Sequence, residues 1–270
     1  MASPRRARAR RITRKSAAEI ALMGEAGRIV ALALQRMAET AAPGVTTLDL
    51  DRVAAATIRG EGGEPCFNGQ RVGDRVYRWA ICASVNDAVV HGIPSERVVL
   101  QAGDIVGLDV GVRYQGYHGD AALTLAIGEI DEDARRLLAI TREGLARSIE
   151  AAQVGRRVFH VAQAVQEYVE AAGFSAVREL CGHGVGQSMW EPPNVPNVAT
   201  VPHPDLEVVL RPGMTLALEP MINEGRAEVR TDADGWTVRT ADGRRSAHFE
   251  HTIVITRDGP VILTKCEGAA

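Results

Sequence analysis

The sequence is poor in aromatic residues and in cysteine, and it lacks a long apolar run. Phe, Trp and Tyr make up 4% of its 270 residues, while 46% are hydrophobic and 24% are charged. No apolar stretch reaches the roughly 20 residues that span a bilayer, and no CxxC pair indicates a zinc knuckle or a disulfide framework. We therefore predict a globular, cytoplasmic chain that is not embedded in a membrane. Its four cysteines lie far apart, at Cys66, Cys82, Cys181 and Cys266.

Acidic residues are missing from the first fifteen positions. Residues 1–15 hold seven of the 31 Lys and Arg residues, so the rest of the chain carries 24 basic against 34 acidic residues. We predict a basic, disordered arm over residues 1–15, because chain ends are commonly disordered, followed by a single domain over residues 16–268. Clustered Arg attracts phosphates without a fold, so the arm is a candidate for contact with RNA or the ribosome.

Four stretches have helical periodicity. The first begins at a capping-box sequence, residues 16–19, and ends before Pro43-Gly44. Thr47 is the predicted cap of a second helix, which ends at a cluster of glycines. The last two helices are predicted over about residues 131–152 and 158–172.

Strand-like alternation occupies intervals between the helices, so helix pairs and strand sets occur twice along the chain. Residues 101–109 and 211–219 also share local sequence, because Gly103 matches Gly213 and a carboxylate closes each segment. We infer an internal duplication, with two α/β halves related by a pseudo-twofold axis. The predicted strands cover residues 79–85, 104–112, 117–127, 214–222 and 248–256.

Two acidic residues are predicted to face each other within the first half. If residues 104–127 form a hairpin centred on Tyr114-Gln115, Asp109 and Asp120 lie on opposite strands. Opposed residues have Cβ atoms roughly 4.5 to 5.5 Å apart. Two carboxylates at that distance repel each other unless a cation lies between them.

The second half contains a similar pair. Glu219 and Glu250 are symmetric about Asp234-Gly235, a common turn sequence, although Ala241-Asp242-Gly243 offers a competing turn. Both acids have apolar neighbours in the sequence. We therefore expect these two carboxylates to be buried as well.

Burial of four acids requires positive charge close to them. Removing even one ionised carboxylate from water costs several kcal/mol without a partner, so we expect two divalent ions. A natural fifth ligand is His183, whose neighbours in Gly182-His183-Gly184-Val185-Gly186 are small enough for close approach. Oxygen-rich ligation with one imidazole suits Mn²⁺, Fe²⁺, Co²⁺ or Zn²⁺, and the sequence leaves all four open.

Six segments together carry a resemblance to a known family, and it extends from about Ile12 to Cys266. In them the sequence resembles the type I methionine aminopeptidases of the creatinase-like metallopeptidases, family M24. The resemblance implies an α/β pita-bread fold with a central, mostly antiparallel sheet and outer helices. The segments are Val85–Pro94, Leu108–Val110, His118–Asp120, Gly182–Gly186, Leu218–Met221 and Phe249–Val254.

The resemblance also implies hydrolytic removal of N-terminal methionine from peptides and nascent proteins. It implies that His91 hydrogen-bonds near the scissile amide and that Glu219 handles the proton of the attacking water. The ordinary pKa of histidine, near 6.5, suits donation of a proton to the leaving nitrogen. The ligands implied for a dinuclear metal site are Asp109, Asp120, His183, Glu219 and Glu250.

Two departures from the family pattern affect the substrate site. Family members commonly carry a second substrate-contacting histidine where this chain has Trp190, and indole cannot accept a hydrogen bond or a proton. We therefore expect slower turnover or a differently placed substrate. Residues 68–75 are polar where the family has aromatic residues. Candidate contacts for the methionine side chain are then Cys82, Met189, Trp190 and Trp236.

Other interpretations of the same pattern stay open. One is an M24 aminopeptidase of the aminopeptidase P or prolidase type, although those enzymes generally carry an additional N-terminal domain. Another is a homologue that binds peptides with impaired catalysis. We expect a monomer. The remaining histidines are predicted to be structural or solvated: His118, His160, His203, His248 and His251.

Overall fold

The computed structural model describes residues 12–265, which contain four α-helices. Their bounds agree closely with the predicted ones, and Ser16 caps the first helix as expected. Thr46, not Thr47, caps the second helix. Thr46 Oγ1 accepts a hydrogen bond from the Asp49 N–H at 3.1 Å, and the Asp49 carboxylate accepts one from the Thr46 N–H at 3.2 Å. The helices are α1 Ala17–Thr40, α2 Thr47–Gly60, α3 Glu132–Ala151 and α4 Val158–Ala171, with a 3₁₀ turn at Pro204–Glu207.

The predicted arm lies mostly outside the described residues, as does Cys266, but its last residues are held by the folded body. Lys15 Nζ lies 2.7 Å from Glu191 Oε2, and the Lys15 side chain is only 5% exposed. Arg14 Nε donates a hydrogen bond to the carbonyl oxygen of Pro212 at 2.7 Å. Arg14 and Lys15, at the end of the predicted arm, therefore contact the folded body.

Most strands of the described chain belong to one antiparallel sheet of nine strands. Its main path runs β1-β6-β7-β16-β11-β9-β10, with β4 beside β6 and β17 beside β16. The strands are β1 Glu64–Pro65, β2 Arg71–Val72, β3 Arg75–Val76, β4 Ile81–Val85, β5 Ala88–Val90, β6 Ile105–Tyr114, β7 Tyr117–Ala126, β8 Ser175–Ala176, β9 Cys181–Gly184, β10 Glu191–Pro196, β11 Thr215–Leu218, β12 Met221–Asn223, β13 Val229–Thr231, β14 Val238–Thr240, β15 Ser246–His248, β16 Glu250–Thr256 and β17 Gly259–Ile262.

The predicted duplication is confirmed by the order of the strands. The halves meet where β7 pairs with β16, so that β6-β7 on one side corresponds to β11-β16 on the other. The repeated glycines occupy equivalent places: Gly103 donates its N–H to the Ile127 carbonyl oxygen, and Gly213 donates to that of Ile255, both at 2.9 Å. The molecule has the α/β pita-bread architecture with pseudo-twofold halves.

The β6-β7 hairpin differs from the predicted one in its register. The turn is Gln115-Gly116, where both residues have positive φ, a conformation that glycine readily adopts. Asp109 therefore pairs with Ala122, and Asp120 pairs with Gly111. The prediction that the two aspartates are directly opposite is wrong. Because the offset is two residues, both side chains still project from the same face.

The register predicted for Glu219 and Glu250 is confirmed. Leu218 pairs with His251, which brings the two glutamates into the next, facing positions. The chain between them folds back at Asp234-Gly235, where Gly235 has a φ of +79°. The alternative turn, Ala241-Asp242-Gly243, lies in the connection between β14 and β15.

The helices pack against the sheet through two separate hydrophobic clusters. Side chains of α1 and α2, including Ile29 and Leu50, pack with Leu108 of β6. Side chains of α3 and α4, including Leu137, pack with Leu216 of β11. Within residues 12–265, no helix has both the length and the apolar character needed to cross a membrane.

We expect Gly27→Ala to destabilise the fold, because a Cβ there would overlap the backbone oxygen of Leu263. The expected loss in the free energy of unfolding is about 1 to 3 kcal/mol, the usual cost of overpacking. Gly24→Ala in the same helix is the matched control, since a Cβ there meets nothing within 4 Å. Replacement of a helical glycine by alanine is neutral or stabilising by up to about 1 kcal/mol. Urea denaturation measures both effects, and equal shifts would contradict this packing.

Candidate metal centre

The five predicted metal ligands meet in one cavity. Each comes from a different part of the sheet: β6, β7, β9, the residue after β11, and β16. The cavity has a volume of about 520 Å³, and its wall includes all five side chains. They are Asp109, Asp120, His183, Glu219 and Glu250.

The separations of the donor atoms suit shared cations. One ligand atom from each of Asp120, His183 and Glu250 lies within 4.8 Å of the other two. His183 Nε2 lies 3.7 Å from Asp120 Oδ2 and 3.6 Å from Glu219 Oε1. His183 Nδ1 lies 2.9 Å from the carbonyl oxygen of Gly184 and must donate to it. The Nε2 lone pair is therefore left for a metal, as in many metal-binding histidines.

Glycines on either side of His183 permit this arrangement. A Cβ at position 182 would press against the Ala217 carbonyl oxygen of β11, and one at position 184 would press against the backbone of β10. His183 therefore sits on a strand that approaches both neighbours more closely than other residues permit. The close approach that the small neighbours of His183 predict is therefore present.

The carboxylates have few partners in the protein. Asp109 Oδ1, Asp120 Oδ1 and Glu250 Oε1 are buried and have no hydrogen-bond partner. Within the described part of the chain, no Lys or Arg forms an ion pair with these carboxylates or with Glu219. A buried, unpaired carboxylate oxygen is costly. The donor set thus fits hard or borderline divalent cations.

Burial and mutual repulsion hold protons on this cluster. Burial raises the pKa of Asp109 from 3.8 to about 7. Burial, followed by the charges of neighbouring acids, raises the pKa of Asp120 and of Glu250 well above their ordinary values. Burial and then Asp109 do the same to the pKa of Glu219. A divalent cation would remove the repulsion and displace these protons.

His91 lies at the edge of the same cavity, directly after β5. Its φ of +59° is unusual for a residue other than glycine. The neighbouring Gly92 fixes this conformation, since its carbonyl oxygen accepts a hydrogen bond from the Ala83 N–H at 2.8 Å. The His91 ring is exposed to the cavity, but the surrounding protein lowers its pKa below 6.5 through desolvation.

A second, largely apolar pocket of about 280 Å³ adjoins the metal-ligand cavity and shares Phe67, His91 and Trp190 with it. Cys82 and Trp236, both predicted substrate contacts, line this pocket. Burial raises the pKa of the Cys82 thiol well above its ordinary value, so this part of the pocket wall is uncharged.

Sequence reasoning missed Tyr77, an aromatic residue that lines this pocket. Tyr77 is 1% exposed and packs edge-on against Trp79 and Trp236, with ring centroids 5.3 and 5.1 Å apart. The polar segment before Tyr77 forms the short β2-β3 hairpin, which leads the chain back into the core. The aromatic residues Tyr77 and Trp79 follow that polar segment in the sequence and could have indicated an aromatic pocket wall.

The other two predicted contacts occupy different positions. Trp190 is 45% exposed, borders both cavities, and its ring centroid lies 6.3 Å from that of His183. Met189 is 4% exposed and packs with Phe67 and Cys82. Its Sδ lies 3.5 Å from Cys66 Sγ, so Met189 supports the pocket wall from behind.

One histidine has a different environment from the one predicted. His118 and His251 are buried with hydrogen-bond partners, Gly186 and Thr264, as expected of structural residues. His248 instead lies beside the metal ligands, with Nε2 4.0 Å from Glu219 Oε2. Burial, followed by the nearby His91, lowers the pKa of His248 to about 3. Its place two residues before Glu250, on the same face of the chain, was the overlooked signal.

The fold and the buried carboxylate–imidazole cluster define a metal-dependent hydrolase of the pita-bread class. The sequence profile of metallopeptidase family M24 matches residues 21–257. The chain belongs to metallopeptidase family M24. It is 45% identical to methionine aminopeptidase 1 of Bacillus subtilis over 251 residues, which cover 93% of this chain and 98% of that protein.

Solved structures agree with this assignment. The crystal structure of methionine aminopeptidase from Thermotoga maritima matches with a TM-score of 0.89 and 44% identity, covering 94% of this chain and all of that one. A prolidase from Pyrococcus horikoshii matches with a TM-score of 0.76 and 23% identity, covering 95% of this chain but 64% of that one. The prolidase likeness shows the shared fold alone.

We expect the stability of the metal-free protein to fall with rising pH because of this cluster. A carboxyl group whose pKa rises on folding imposes no cost below its unfolded pKa, and its cost grows as pH rises toward the folded pKa. For Asp109 this interval runs from 3.8 to about 7. Added Mn²⁺ should raise the melting temperature most at pH 8.

Asp109→Asn is the matched control, because it keeps the shape of the side chain and removes its charge. In EDTA, the variant should melt higher than the wild type, and this difference in melting temperature should be smaller at pH 5 than at pH 8, since the cost of the Asp109 charge grows up to about pH 7. A difference independent of pH would contradict the repulsion. Scanning calorimetry from pH 5 to 8 provides the measurement.

Proposed function

We propose that this protein removes the N-terminal methionine from peptides and nascent proteins by metal-dependent hydrolysis. The supporting observation is the adjacency of two sites, since the apolar pocket lined by Tyr77, Cys82 and Trp236 opens beside the metal ligands. The similarity to methionine aminopeptidases over almost the entire chain supports the same activity.

Two divalent ions are the proposed cofactor, with Co²⁺, Mn²⁺, Fe²⁺ and Zn²⁺ as candidates. When bound, such ions supply Lewis-acid activation of water and of the substrate carbonyl. The number of carboxylates supports two ions, because four buried acids exceed the charge of one divalent cation. The proposed ligands are Asp109, Asp120, His183, Glu219 and Glu250.

Glu219 and His91 are the proposed catalytic residues. The Glu219 carboxylate lines the cavity beside the other proposed ligands, from where it can accept a proton from the attacking water. The His91 ring faces the cavity between the two sites, from where it can hydrogen-bond to the scissile amide and donate toward the leaving nitrogen. Both proposed catalytic side chains, those of Glu219 and His91, line the cavity.

The proposed metal ligation supports cleavage at a free N-terminus. The lone pair of a free α-amine could occupy a metal coordination position, and acetylation removes that lone pair. The adjoining pocket suits a methionine side chain, because thioethers contact aromatic rings favourably. Tyr77 and Trp236 provide such rings, and Trp190 borders the opening where the following residues of a peptide would lie.

Other properties of the proposed enzyme follow from the sequence. The described cysteines, Cys66, Cys82 and Cys181, are free thiols, as is usual in the reducing cytoplasm that we propose as its compartment. A monomeric state stays a prediction. So does contact of the basic arm with RNA or the ribosome, since residues 1–11 lie outside the described chain.

We expect the Mn²⁺- or Co²⁺-loaded protein to release methionine from Met-Ala-Ser. Acetyl-Met-Ala-Ser and Ala-Met-Ser should yield none, because the first lacks a free α-amine and the second places methionine internally. Glu219→Ala should lower kcat by about 10²- to 10⁴-fold, the usual contribution of a positioned acid or base. Chromatography of the products measures each result.

Two outcomes of the same panel would change the proposal. Turnover restricted to X-Pro peptides would favour a prolidase-like enzyme. Binding of Met-Ala-Ser with no more release than in Glu219→Ala would favour an inactive, peptide-binding homologue.

We expect Trp190 to bind the peptide rather than to impair the reaction. Trp190→Ala should raise KM about tenfold, equivalent to ~1.4 kcal/mol of lost apolar contact, with kcat little changed. Trp190→His should not raise kcat, because the indole already packs beside His183. A clear rise in the kcat of Trp190→His would show instead that the indole is a catalytic defect.

A further inference from the structure

His248 is a buried polar residue to which neither the metal ligation nor the proposed chemistry assigns a role. Its side chain is 4% exposed, and Nε2 is buried without a hydrogen-bond partner. A buried nitrogen without a hydrogen-bond partner is unfavourable, because it has lost its contacts with water. His248 lies beside Glu219, and it is not among the residues that line the cavity.

The backbone of His248 is fixed on two sides. Its N–H donates to Thr124 Oγ1 at 2.9 Å, and the Thr124 hydroxyl donates to the His248 carbonyl oxygen at 2.8 Å. On the other side, His248 pairs with Met221 across the β12-β15 ladder. The imidazole is therefore held by β7 and β12 and is kept away from solvent.

Two imidazoles flank the Glu219 carboxylate. His183 Nε2 lies 3.6 Å from Oε1, and His248 Nε2 lies 4.0 Å from Oε2. His183 donates through Nδ1 to Gly184, so its Nε2 carries a lone pair and cannot donate to Glu219. His248 Nε2 is thus the flanking nitrogen that can donate a hydrogen bond to this carboxylate.

We propose that His248 is a positioning residue whose neutral imidazole donates its Nε2–H to Glu219 Oε2. The inference rests on the proposed function, in which Glu219 is both a metal ligand and a proton acceptor. A closer approach of about 1 Å brings the two atoms to hydrogen-bond distance. The contact fixes the rotamer of Glu219, which leaves Oε1 directed toward the other ligands.

Loss of such a supporting hydrogen bond typically lowers metal affinity or activity 10- to 100-fold. The proposal therefore predicts that both properties depend on a donor at one particular position, that of Nε2. Side chains that differ in the position of their donor can test this prediction.

Three substitutions separate hydrogen bonding from packing. His248→Gln places its amide nitrogen near the position of Nε2, His248→Asn places it near that of Nδ1, and His248→Leu removes the donor. We expect the Asn and Leu variants to bind Co²⁺ 10- to 100-fold more weakly and to lose a similar factor in kcat, with KM changed less than about twofold. The Gln variant should stay within about threefold of the wild type in both properties.

Co²⁺ binding is measured by calorimetry and by the visible absorption of the bound ion, without any peptide. This arm is informative even if methionine peptides are not substrates, so failure of the proposed function can be told apart from failure of this inference. The melting temperature of each metal-free variant reports its folding. Equal losses in all three variants, or no loss in any, would overturn the proposal.

Thr124→Val provides a second route if the Asn and Leu variants do not fold. It removes both side-chain hydrogen bonds to the backbone of His248 and keeps the imidazole. Weaker Co²⁺ binding together with lower kcat would support the positioning role, and wild-type values of both would overturn it.

Discussion

Repulsion among buried carboxylates is the constraint on which this structure depends. Asp109, Asp120, Glu219 and Glu250 share one cavity, and several of their oxygens have no partner in the protein. The remainder of the fold must hold these groups together against their charge. Bound cations would relieve the repulsion among these carboxylates, so the site favours metal binding. Metal-dependent hydrolysis requires such a site.

The duplicated sheet meets this constraint by making each half supply one pair of acids. Asp109 and Asp120 come from β6 and β7, while Glu219 and Glu250 come from the end of β11 and from β16. Because β7 and β16 are paired at the centre, the two pairs meet without any long loop. The strands of the sheet therefore set the positions of the donor atoms. A helix pair packs against the sheet on each side of the pseudo-twofold axis.

Sequence reasoning succeeded where chemistry and strand periodicity agree. The ligand types, the repeat and the strand assignments followed from residue spacing, and the acids of the second half were placed in their correct register. The turn of the first hairpin was predicted one residue too early, at Tyr114-Gln115. The observed turn is Gln115-Gly116, where both residues have positive φ. Since the resulting offset between Asp109 and Asp120 is an even number of residues, the prediction of a shared face survived the error.

The sequence by itself indicated which groups carry charge, where the main strands and helices form, and which five distant side chains are candidate metal ligands. Only the tertiary structure decided which side chains surround those groups. Tyr77 reaches the apolar pocket because a short hairpin turns the chain inward, and His248 faces Glu219 because two strands hold its backbone. Such neighbours arise from contacts between residues far apart in the chain, and local periodicity does not encode them.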